Sequence, residues 1–133
     1  MKTTRGRHIL YVLTSLALLI ALAGGSWVTV SAKNQVNFII PTISILSVNP
    51  DVSVTVRTAN YPANDTFDVY MNYFGTRGVG GIKVDTVATG SGGSFDKTFT
   101  IPDGMKGQSL IAIRLESPTS GYFSYNWFYN VSG

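Results

Sequence analysis

From Thr42 to Asn130 the chain alternates apolar and polar residues, with turn residues every eight to twelve positions and no helical stripe. A period of two turns successive side chains to opposite faces of an extended backbone. The pattern therefore restricts the chain to short, half-buried strands. Seven are predicted: Thr42–Val48, Ser53–Thr58, Thr66–Tyr73, Ile82–Thr89, Ser94–Ile101, Leu110–Glu116 and Tyr122–Asn130. In the first, Ile43 and Ile45 share one face while Leu46 and Val48 share the other, which predicts a bulge or a change of sheet. In the fifth, Lys97 falls among the inward Phe95, Phe99 and Ile101, as suits an edge strand whose lysine reaches water. Gly90-Ser91-Gly92-Gly93 carries a hairpin signal, because glycine supplies the positive φ that tight hairpins need. Residues 75–81, glycine-rich as well, read as a flexible crossing between sheets. No helix pattern and no Gly-Lys-Ser/Thr follow them, so they make a poor phosphate cradle.

Seven short antiparallel strands in about 90 residues predict an all-β fold. The expected form is a seven-stranded antiparallel Ig-like or fibronectin-III-like sandwich. A signal helix is expected ahead of it. Met1 to Ala32 begins with Lys2, Arg5 and Arg7, runs apolar from Ile9 to Ala23, and ends in Val30-Ser31-Ala32. The apolar run is shorter than the roughly 20 residues that span a bilayer, and Gly24-Gly25-Ser26 interrupts it, so residues 1–32 read as a cleaved signal peptide. An uncleaved anchor would have the same topology, with the C-terminal part outside. Residues 33–41 form an N-terminal extension or first half-strand, and residues 42–133 form the sandwich.

Removing the leader changes the chemistry. The single histidine is His8 and the chain has no cysteine. Beyond Ala32, seven cations (Lys33, Arg57, Arg77, Lys83, Lys97, Lys106, Arg114) balance seven acids (Asp51, Asp65, Asp68, Asp85, Asp96, Asp103, Glu116), so the net charge of +3 belongs to the leader. A neutral domain has no electrostatic footprint for nucleic acid. Without His or Cys there is no nucleophile relay, and zinc and copper lose their best ligands. No cofactor or metal is expected. Carboxylate pairs, Asp65 with Asp68 and Asp85 with Asp96 across the Gly90–Gly93 hairpin, are the remaining hydrolase candidates. Capping a turn and facing solvent suit them better. Export without a disulfide favours a bacterial source.

The C-terminal strand holds more aromatics than a core needs. Alternation puts Phe123, Tyr125, Trp127 and Tyr129 on one face, with Tyr122, Asn126 and Phe128 on the other. One face of that strand packs on the core, and the other set either sits under a loop or a neighbouring strand or is left as an exposed strip. A strip of exposed rings could stack on sugars, with Asn126 and Asn130 as hydrogen-bond partners, or anchor a protein contact. Tyr70 or Tyr73 could extend it. The expected contact residues are Tyr122, Tyr125, Asn126, Trp127, Tyr129 and Tyr70. A second apolar piece, Val36, Phe38, Ile39 and Ile40, is either the first half of a long first strand bent at Pro41 or a donor strand for another subunit's sheet edge.

A resemblance adds to this. The segments Pro62–Val69, Gly75–Gly78, Gly92–Phe95 and above all Ile111–Tyr122 with Tyr125–Asn130 resemble a small sandwich domain of secreted proteins from filamentous Chloroflexota-type bacteria. The resemblance spans most of residues 33–133. It implies export and fold, and it supplies no active site.

The expectation from sequence is an exported, non-catalytic binding or adhesion module at the bacterial surface. Its partners would be a polysaccharide or a cell-surface protein, and it would meet a membrane only through the signal segment. The alternative is a self-assembling structural subunit of a filament, sheath or layer, a homo-oligomer. A small hydrolase is a distant third.

Overall fold

The computed structural model describes residues 39–132. Within them the alternation becomes seven strands: β1 (Thr42–Asn49), β2 (Ser53–Ala59), β3 (Thr66–Tyr73), β4 (Ile82–Ala88), β5 (Asp96–Thr100), β6 (Leu110–Glu116) and β7 (Phe123–Tyr129). A single 3-10 turn, Asp103–Met105, lies between β5 and β6. The strands pair antiparallel in two sheets, ordered β1-β2-β5 and β4-β3-β6-β7. The expected signal helix, residues 1–32, lies outside the described residues, as do Val36 and Phe38. Ile39 and Ile40 precede β1 as exposed chain outside any strand, and Pro41 is buried beside them. The described part of the extension is therefore not the first half of β1. Proline at 41 offers no N–H to a ladder, so pairing begins only after it.

In most strands every second residue points into one shared core; in β4 the register slips at Val84, so Val84 and Val87 face it while Ile82, Thr86 and Ala88 are exposed. Val54, Val56 and Phe99 enter from the three-stranded sheet; Phe67, Val69, Met71, Ile111, Ile113, Leu115 and Phe128 enter from the four-stranded one. Two antiparallel sheets closing on one apolar layer make a β-sandwich. Thr58 continues the inward series of β2 and is fully buried. Its hydroxyl reaches the carbonyls of Gly93 and Phe95 (both 3.2 Å) and accepts the Phe95 N–H (2.9 Å). The predicted bulge is at Leu46, where the β1–β2 register slips between Ile45 and Ser47. The extra residue brings Val48 back to the face of Ile43 and Ile45, and Leu46 turns to solvent. β5 is an edge strand, and Lys97 on it is exposed.

The two glycine loops exchange the roles expected of them. Residues 74–81 join β3 to its antiparallel neighbour β4, so they close a hairpin within one sheet. Gly90–Gly93 carries the chain from β4 across to β5 in the other sheet, and no β4–β5 hairpin exists. The reason is a docking contact that sequence does not display. Gly93 and Tyr61 exchange backbone hydrogen bonds (2.8 and 3.3 Å), and the Asn64 N–H reaches the Gly90 carbonyl (2.8 Å). A Cβ on Gly92 would stand 2.5 Å from the Tyr61 carbonyl oxygen. The glycines here permit close approach of two backbones, with no reversal onto β4.

Candidate functional site

β7 presents a row of aromatic rings on the outer face of the four-stranded sheet. The row faces outward because its alternate residues are committed inward. Phe128 belongs to the core, and the buried Ser124 hydroxyl bonds to that of Tyr61. Asn126, also on the inner side, donates its amide N–H to the Ile43 carbonyl of β1 at 3.0 Å, and its Oδ1 accepts the Trp127 N–H at 2.8 Å. The odd-numbered residues remain. Phe123, Tyr125, Trp127 and Tyr129 are exposed by 47, 43, 42 and 62%.

The hairpin loop 74–81 folds back over the same face. It can do so because Gly78, at φ +76°, lies where a Cβ would come within 2.5 Å of the Arg114 Cβ. Asn72 holds the far end through its amide and the Val79 carbonyl (2.8 Å), while the Thr76 hydroxyl donates to the Tyr73 carbonyl (2.7 Å) and accepts the Gly78 N–H (3.2 Å). Phe74 thereby meets Trp127 edge to face at 5.4 Å, and Trp127 meets Tyr129 in the same way at 5.3 Å. The Arg77 guanidinium stands 5.5 Å above the Tyr125 ring, and that of Arg114 stands 4.2 Å above Phe123. Such edge-to-face and cation–ring contacts orient the rings and occupy part of their surface, leaving the exposed remainder to solvent.

Two clefts flank the loop. One, of about 180 Å³, is lined by Phe74, Arg77, Ala112, Tyr125, Asn126 and Trp127. The other, of about 390 Å³, lies beside Asp68, Tyr70, Gly78, Arg114, Glu116 and Pro118. The ladder sets Tyr70 opposite Arg114 and Arg114 opposite Tyr125. Arg114, nearly buried and bonded through Nε to Glu116 at 2.8 Å, therefore separates Tyr70 from the β7 row.

Of the residues expected from sequence, Tyr125, Trp127 and Tyr129 come together on this surface. Tyr70 shares the sheet face in the neighbouring cleft. Tyr122 is exposed just ahead of β7, outside the row, and Asn126 contributes only at the floor of the smaller cleft, since both ends of its amide are engaged. Asn130, weighed as a further polar partner, is buried and joins the Asp51 N–H, the Asp51 carboxylate and the Gln108 carbonyl. Ile39 and Ile40 are exposed before β1. Sequence reasoning missed Phe74, Arg77, Phe123 as a ring under Arg114, and Arg114 itself. The loop residues are brought in only by the conformation that glycines 75, 78 and 80 permit, all three at positive φ.

Of the carboxylates weighed as pairs, Asp68 lines the larger cleft, and none lines the smaller one beside Tyr125 and Trp127. Asp85 and Asp96 are in different sheets, and Asp96 is bidentate to Arg57 at 2.8 and 2.9 Å. Asp68 pairs with Lys83 at 2.9 Å, and that ammonium, with the Thr86 hydroxyl, holds its carboxyl below the usual range. Asp65 ties its own loop to the β6–β7 turn through the hydroxyls of Ser117 (2.7 Å) and Ser120 (2.6 Å). Desolvation pushes its carboxyl up, but those hydroxyls and the Thr66 N–H outweigh it and leave the group below its ordinary value. These acids hold turns and edges. The chemistry offered by the β7 surface is stacking, hydrogen bonding and a cation.

Comparison of the chain with protein-family models, with curated proteins and with solved structures gives no match.

Proposed function

We propose that this chain is an exported, non-catalytic binding or adhesion module at a bacterial cell surface, holding a polysaccharide along the β7 rings. We also take the sandwich to be Ig-like in the broad sense. In constant-type immunoglobulin domains the fourth strand joins the sheet of the first two; here β4 stays with β3, which favours the fibronectin-III-like version.

One observation carries the reading: four successive outward positions of one strand are all aromatic, and all are left 42 to 62% exposed. Surface positions of an ordinary strand need no such series, because exposed apolar area in a contiguous patch favours association. Its shape favours a chain-like partner. Six residues of rise give a row about 20 Å long and one side chain wide. Rings that bury about 150–250 Å² each when covered leave together about 400 Å² here. A standard protein interface takes about 800 Å² per partner. A linear sugar polymer needs only the row.

Retention on insoluble polysaccharides tests this. The full chain is expected to be held by at least one such polymer, and Trp127→Ala to weaken retention roughly 30-fold, the loss typical of a central aromatic anchor, with the β-sheet circular dichroism spectrum and cooperative unfolding retained. Equal retention of the variant, or no retention of the parent on any polymer, would contradict it.

A further inference from the structure

We infer that the polymer bound at this surface is acidic, and that Arg77 takes a sugar carboxylate while Tyr125 and Trp127 take the sugar ring. This rests on the polysaccharide reading and adds its charge.

Four of the six cations in residues 39–132 are already matched by acids. Among the described residues, Arg57 pairs with Asp96, Lys83 with Asp68, Lys106 with Asp103 and Arg114 with Glu116. Arg77 and Lys97 have no acidic partner among them; Lys97 lies on the β5 edge of the other sheet, whereas Arg77 lines the smaller cleft with Phe74, Tyr125 and Trp127, and that cleft contains no carboxylate. An aromatic cleft with one uncompensated guanidinium is complementary to a ring that carries a negative group. The cleft, of about 180 Å³, is lined by exposed rings and open on its outer side, so it can seat one part of a chain that continues along the row.

Arg77 is also presented deliberately. It adopts φ 56° between Gly75 and Gly78, a left-handed backbone that disfavours any residue with a Cβ. The Thr76 hydroxyl bonds on either side of it hold the turn closed. The turn thus brings the exposed Arg77 side chain out beside Tyr125, its guanidinium 5.5 Å from the ring, where it can meet a carboxylate through two parallel N–H groups. The larger cleft does not compete for the anion, since Arg114 there is already matched by Glu116, and Asp68 in its lining is matched by Lys83.

Electrophoresis of the full chain through gels containing polygalacturonate, its fully methyl-esterified form or a neutral glucan tests the inference. Polygalacturonate is expected to bind at least tenfold more tightly than its ester. Arg77→Gln is expected to remove that preference, Arg77→Lys to restore part of it, and Lys97→Gln, on the far sheet edge, to leave it intact. Equal affinity for acid and ester, or an Arg77→Gln variant that keeps the preference, would overturn the acidic assignment while the polysaccharide reading stands. Retardation by no polymer would overturn both. Poly-glutamate binding as tightly as polygalacturonate, with the same loss in Trp127→Ala, would make the occupant an acidic protein segment and overturn the sugar.

Discussion

Tyr61 sits between β2 and β3, outside the strands, yet it is only 4% exposed. Its ring rests on Phe67 at 4.7 Å and Phe95 at 5.8 Å, and its hydroxyl bonds to Ser124 beneath β7. Burial pushes that hydroxyl up to about 12, and the Ser124 bond offsets only part of the rise. An unfolded tyrosine titrates near 10. The proton is therefore held more firmly in the folded chain, and the stability it contributes is complete below about pH 10 and lost as pH climbs toward 12. Tyr61→Phe is expected to lower stability in urea by about 1–2 kcal/mol at neutral pH, since it leaves the Ser124 hydroxyl buried without its partner. It should also flatten the fall in melting temperature between pH 10 and 12. Gly78 makes a different point about single residues. A methyl group there meets Arg114 at 2.5 Å and must also accept φ +76°, so Gly78→Ala is expected to cost roughly 1–3 kcal/mol and to lift the loop from the sheet. Gly75, at φ +93° with nothing within 4 Å of its added Cβ, should accept asparagine at far smaller cost. Paired denaturation curves would separate the two.

At the scale of elements, the strands were readable and their partners were not. Period-two alternation located all seven within a residue or two, and the face switch at Leu46 marked the bulge, because both follow from which side chains must be buried. Pairing depends on contacts far apart in sequence. Two glycine loops looked alike, and only the docking of Gly92 and Gly93 against Tyr61 makes one of them a crossover. The β7 row was legible as alternation. Which of its faces would be core followed from Ser124 and Phe128 finding Tyr61 and the apolar layer, and Asn126 proved to belong to the inner side. Its amide spans the seam between the two sheets, from the Ile43 carbonyl of β1 to the Trp127 N–H of β7. Asn126→Ala is expected to cost about 1–2 kcal/mol, as both groups lose that partner at a sheet edge that water only partly reaches. Faster amide hydrogen exchange confined to β1 and β7 would identify the seam; a uniform increase across the sandwich would refute it.

For the molecule as a whole, the residues 39–132 divide labour between their two sheets. The outer face of β1-β2-β5 carries Thr55, Arg57, Asp96 and Thr98 in cross-strand pairs that satisfy each other, as in Thr55–Thr98 at 2.8 Å and Arg57–Asp96. The outer face of β4-β3-β6-β7 carries the ring row, the folded-over loop and the unmatched Arg77. Contact with a partner is therefore expected to be confined to the second face. Mapping of chemical-shift changes in the full chain during titration with a polysaccharide that retains it tests this most directly. Shifts are expected at Phe74, Arg77, Ala112 and the β7 residues Tyr125, Trp127 and Tyr129, with β1, β2 and β5 silent. Shifts centred on the three-stranded sheet, or spread evenly over both, would contradict it.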